Sequence, residues 1–65
     1  MKLTEPQIRR WHSLTDSMDI PTDRRQPTLP NLGWFFRNVY IRNAKHKNII
    51  AAWDLAKALD KDLSK

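Results

Sequence analysis

Apolar residues recur at spacings of three and four in three stretches of the chain, and each stretch reads as one helix. In the first, Ile8, Trp11, Leu14, Thr15 and Met18 fall on one face while Arg9, Arg10, Ser13, Asp16 and Ser17 cover the other. Thr4 precedes this run as N-cap, with Pro6 in the first turn and Gln7 placed to close a capping box. The pattern predicts helix 1 over about 5–18, ending before Pro21.

The second stretch, "LGWFFRNVYIRN", puts Leu32, Phe35, Phe36 and Val39 on one face at 100° per residue. Its aromatic and β-branched content would also suit a strand. No other segment offers a pairing partner, so helix 2 is read over about 32–43, with Asn31 as its cap. Asn43 then breaks the helix, because asparagine tolerates the left-handed conformation. In the third stretch Ile49, Ala52, Trp53, Ala56, Leu59 and Leu63 form an apolar stripe, predicting helix 3 over about 45–63. Lys47, Asp54, Lys57, Lys61 and Asp62 lie on its far side. Asp54 with Lys57, and Lys57 with Asp60, have the spacing of i,i+3 ion pairs.

Between helices 1 and 2, residues 19–30 ("DIPTDRRQPTLP") hold three prolines and no glycine. This proline-rich connector is expected to be extended and stiff, lying across the helices with Ile20 and Leu29 as anchors. Arg24-x-x-Pro27-x-x-Pro30 also matches the form of a polyproline II ligand, a motif short enough to arise by chance. The expected fold is all-α, one compact three-helix domain over residues 1–65.

Sixty-five residues can bury only roughly 60% of the surface of the unfolded chain, so one modest core is expected. An apolar fraction of 40% with three tryptophans suffices for it. There is no cysteine, which removes disulfides and thiolate metal sites and fits a reducing, cytoplasmic setting. No apolar run approaches the roughly 18 residues of a membrane span, and "MKLTEPQIRRW" lacks the apolar core of a secretory signal.

Charge changes the picture more than composition does. The net charge is +5, and it is unevenly placed. Arg24, Arg25, Arg37, Arg42, Lys45 and Lys47 lie between residues 24 and 53 with His46 and no acid, whereas the rest of the chain holds six basic and seven acidic residues. Such a segment creates a directional positive field that attracts polyanions or an acidic protein surface.

Catalytic arrangements are absent from the pattern. His12 and Ser13 are neighbours and point about 100° apart on a helix, so they cannot converge as base and nucleophile. Asp16, Asp19 and Asp23 sit near a turn, where aspartates terminate backbone. Gly33 is the single glycine, too few for a phosphate-cradling loop, and two histidines without cysteine make no zinc site. His46, among lysines, reads as solvated or phosphate-facing. No enzyme activity, cofactor or metal is expected.

What remains is "GWFFRNVYIRNAKHKN", residues 33–48, with four aromatics, four cations, three asparagines and no acid. On an ideal helix Trp34 and Ile41 share the side opposite the Leu32–Val39 face, flanked by Arg37 and Asn38, which is the composition of an interaction hot spot. Arg42, Lys45, Lys47 and Asn48 gather at the turn into helix 3. Two readings follow. As a nucleic-acid module, with DNA favoured over RNA, helix 3 would enter a groove with Lys45, Lys47 and Asn48 at its start, while Arg37 and Arg42 hold phosphates and Arg24 and Arg25 reach a flanking backbone or minor groove. As a protein-binding module, an adaptor or inhibitor, Trp34, Arg37, Tyr40 and Ile41 would anchor an acidic-surfaced partner, or a second copy in a homodimer. The missing acids favour nucleic acid, bound through phosphates.

Overall fold

Helix α1 spans Glu5–Thr15 and starts on the predicted cap: Thr4 Oγ1 accepts from the Gln7 N–H at 3.4 Å, and the Thr4 N–H donates to Gln7 Oε1 at 2.8 Å. Helix α2 opens at Leu29–Trp34, continues through a π-helical turn at Phe35–Val39, and closes at Tyr40–Asn43. Helix α3 spans Ile49–Leu63. The computed structural model describes residues 3–64. Among these there is no strand, and the fold is an all-α three-helix domain. Its radius of gyration, 10.7 Å, equals the roughly 10.7 Å expected of a globular chain of this length.

Helices α1 and α3 lie side by side in opposite directions. Gln7 Nε2, at the start of α1, donates to Asp62 Oδ2 at the end of α3 (3.0 Å), while Asn48 Nδ2, just before α3, donates to the Leu14 carbonyl at the end of α1 (3.3 Å). Between them and α2 is a single core of Trp11, Met18, Ile20, Leu32, Phe35, Val39, Ile49, Ala52, Ala56 and Leu59. A chain of five aromatic rings leads from this core out to the surface at Tyr40. Phe35 meets Trp11 at 5.1 Å between centroids and Trp53 at 6.0 Å, and Trp53 meets Phe36 at 5.0 Å and Tyr40 at 5.5 Å. The buried face expected on α2 therefore forms, except that Phe36 is half-buried at its edge.

Several boundaries differ from the sequence reading, each for a local reason. Helix α1 stops at Thr15 rather than Met18. The Met18 N–H turns back to the Thr15 carbonyl (3.0 Å), and the Asp19 N–H is taken by Asn43 Oδ1 (2.9 Å), so tertiary bonds replace the last helical turn. Met18 and Ile20 still reach the core. Helix α2 begins three residues earlier than expected. Thr28, not Asn31, is its N-cap, with Thr28 Oγ1 accepting from the Asn31 N–H, and Pro30 sits in the first turn, where its missing N–H costs nothing.

The segment before α2 is not a polyproline II arm. Thr22–Arg24 forms one 3-10 turn and Pro30 is helical, so the arginine and second proline of that motif are not on one extended strand. The connector is instead clamped by hydrogen bonds: Trp11 Nε1–H to the Arg25 carbonyl (2.9 Å), Arg25 Nε–H to the Ile20 carbonyl (3.1 Å), and Asn31 Nδ2–H to the Gln26 carbonyl (2.9 Å). Ile20 anchors it as expected, whereas Leu29 is exposed.

Helix α3 starts at Ile49, leaving Lys45 and Lys47 in the preceding turn. Asn43 does not use the left-handed region, since no described residue has positive φ. It is buried, accepting from the Asp19 N–H and donating to the Val39 carbonyl (3.1 Å), so it ties α2 to the connector. Asn43→Leu would orphan the Asp19 N–H and is expected to cost about 1–3 kcal/mol, read as a lower urea midpoint. An unchanged midpoint would show that this junction does not depend on the bond. The spaced charges of α3 do not close: among the described residues the ion pairs are Arg9–Glu5 (3.9 Å) and Arg42–Asp19 (4.0 Å), neither on α3.

Candidate nucleic-acid interface

The π turn decides which side chains share the outer side of α2. Its i→i+5 bonding admits in effect one extra residue, shifting everything C-terminal to it by one position around the helix. In a plain α-helix Ile41 would sit above Trp34. Here Arg42 takes that place, with its guanidinium carbon 5.9 Å from the Trp34 ring centroid, and Ile41 turns out to solvent. The expected Trp34–Ile41 pair is thus broken. The wider turn also brings two adjacent phenylalanines onto Trp53, at 6.0 and 5.0 Å. Asn38 supports it by donating its side-chain N–H to the Trp34 carbonyl (3.1 Å).

Trp34 is half-buried rather than outward, packed at the margin of the core. A second cation reaches its ring from the connector: the Arg24 guanidinium carbon lies 5.7 Å from the centroid. Each of these contacts is worth about 0.5–1 kcal/mol at an exposed site. Together they hold two guanidinium groups at one place although they come from different elements. Arg37, one turn after Gly33, folds back over it, its Nη1 3.5 Å from where a glycine Cβ would be. Arg37, Arg42, Lys45 and Lys47 are exposed, and the cations beyond α2 complement the negative end of its helix dipole. Among the described residues, Asp19, 4.0 Å from Arg42, is the one acid in ion-pair reach of these cations.

Other candidates are spent on structure. Arg25 is bound to the Ile20 carbonyl, and its own carbonyl receives the Trp11 indole. Asn48 gives its side chain to Leu14, the kind of carbonyl that a terminating helix leaves orphaned. His46 is not a free, phosphate-facing group. Its Nδ1 accepts from the Asn48 N–H at 3.0 Å, which assigns the ring proton to Nε2, and Nε2 donates to the Ser17 carbonyl at 3.2 Å. The histidine latches the end of α1 to the start of α3. Sequence reasoning missed this latch, the buried role of Asn43 and the π turn, because each depends on a partner distant in the chain or on backbone hydrogen bonding that side-chain spacing does not encode.

No group of three or more histidine, aspartate or glutamate side chains is placed to hold a metal among the described residues, and no pocket opens on their surface. Nor is any described helix long and apolar enough to cross a membrane. Comparison with known proteins gives no match: no family model, curated protein or solved structure is similar to this chain. The chemistry of the site therefore rests on its own geometry. It is a cationic surface without a pocket among the described residues, with two arginines held on a tryptophan and exposed cations around them.

Proposed function

We propose that this chain is a non-enzymatic nucleic-acid-binding module that grips phosphates. The observation that carries the reading is the convergence of Arg24 and Arg42 on Trp34. Two like charges brought together without acids of equal number favour a polyanion, and ordering them in advance lowers the entropy that binding must pay. Arg24, Arg37, Lys45 and Lys47 form no ion pair among the described residues, so their charge is available to a ligand. Base reading by α3 is not part of this proposal: the exposed side chains of its first turns include Ile50 and Asp54, and Asn48 is already engaged. Sequence preference should accordingly be modest.

Titration of labelled DNA and RNA by fluorescence anisotropy at several salt concentrations tests the reading. Log affinity is expected to fall linearly with log salt, with a slope corresponding to about four to six neutralised phosphates. Arg42→Ala and Lys45→Ala should each flatten the slope by about one. Absence of binding at low salt would end the proposal and turn attention to an acidic protein partner.

A further inference from the structure

We infer that the preferred ligand is single-stranded, with unstacked bases laid against Tyr40 and Ile41 while the surrounding cations hold the backbone. This inference rests on the nucleic-acid reading above and narrows it to one class of strand.

The exposed large hydrophobic residues are unevenly distributed. Leu29, 43% exposed, opens α2, whereas the three most exposed, Ile41 at 80%, Ile50 at 65% and Tyr40 at 46%, lie on the last part of α2 and the first turn of α3. Those elements and the turn joining them also carry Arg42, Lys45 and Lys47. Ile41 is directly followed by Arg42 in the last turn of α2, and Lys45 and Lys47 lie in the turn just beyond it, so the exposed apolar side chain has cations close to it in the chain. The π turn creates this arrangement by moving Arg42 onto Trp34 and Ile41 outward.

A ligand for such a surface must present negative charge and apolar faces together. Duplex DNA or RNA keeps its base faces stacked inside, and phosphate contacts alone would gain nothing from Ile41. An amphipathic acidic helix seats its apolar side chains in a groove, and the described surface holds no pocket to take them. A single strand meets both conditions: its backbone can follow the exposed cations, and each base offers a face to an aromatic or aliphatic side chain. Tyr40 is suited to this role because, among the described residues, its ring meets one other ring, Trp53, edge to face at 77°.

The experiment compares an oligothymidylate of about 20 nucleotides with a duplex of equal length at one salt concentration, using the full chain. The single strand should bind at least about tenfold more tightly, and Tyr40→Ala should weaken it about tenfold while leaving duplex binding unchanged. Because Tyr40 also packs on Trp53, Ile41→Ser serves as a second variant whose side chain is too exposed to affect folding. It should weaken single-strand binding about threefold and leave the unfolding midpoint in place. Equal affinity for both strands, or indifference of single-strand binding to both substitutions, would overturn this inference and leave the phosphate-binding reading standing. Failure of both ligands to bind would overturn the two together.

Discussion

Trp11→Ala is expected to leave the chain unfolded at room temperature. The ring is 1% exposed and packs against Phe35 at 5.1 Å in a tilted pair, so truncation removes the largest buried side chain and opens a cavity at a cost of about 3–5 kcal/mol. The indole N–H also donates to the Arg25 carbonyl at 2.9 Å, a bond worth about 1 kcal/mol net. A domain of this length has a total stability of only about 3–10 kcal/mol. The loss is comparable with the whole, and a far-ultraviolet dichroism melt should show no cooperative transition. Trp11→Phe separates the two contributions. It keeps most of the apolar volume but frees the Arg25 carbonyl, so the variant should fold with a lowered midpoint and a loosened connector. Retention of the wild-type midpoint by Trp11→Ala would show that the core does not close around this ring.

Phe35→Ala should be nearly as damaging. Phe35 is buried and is the ring on which the aromatic network converges, meeting Trp11 at 5.1 Å and both Phe36 and Trp53 at 6.0 Å. Truncation costs about 3–5 kcal/mol for the cavity, with each lost aromatic pair adding about 0.5–1.5 kcal/mol at most. Its neighbour is the internal control. Phe36 is half-buried, so Phe36→Ala should cost about half as much and leave a folded, less stable protein. Urea midpoints decide the order. If Phe36→Ala proved the more damaging, the facing of α2 described above would be reversed.

These core residues also govern the proposed interface. Trp11 holds the Arg25 carbonyl, and Arg25 holds Ile20, so the 3-10 turn that carries Arg24 is fixed relative to α1. Asn43 fixes the other side of the same connector through Asp19, whose carboxylate reaches Arg42. Arg24 and Arg42 meet at Trp34 because the connector is clamped at both points. Loosening it through Trp11→Phe or Asn43→Leu would therefore weaken preorganisation of the cations as well as stability.

Much of this was legible in the chain alone. The class of fold and the apolar faces of α1 and α3 follow from periodicity, because an isolated helix has only its apolar stripe to bury and must bury it against others. The capping box at Thr4 and Gln7 is a bond between neighbours, so sequence suffices to place it. The concentration of cations between residues 24 and 53 is likewise visible without any coordinates.

Tertiary structure decided the rest. Asn31 looked like a cap and is not one, since Thr28 precedes it and the proline at position 30 belongs inside the first turn. Asn43, Asn48 and His46 looked like a helix break and surface groups, yet each is spent on backbone atoms brought near by the fold: the Asp19 N–H, the Leu14 carbonyl and the Ser17 carbonyl. Trp34 and Ile41 looked like a pair because a wheel assumes 100° for every residue, and the π turn between them does not keep that angle. Side-chain spacing reports which face is apolar, but it does not report where the backbone widens its turn. The widened turn sets two adjacent phenylalanines on Trp53, a partner on another helix that spacing along α2 does not reveal.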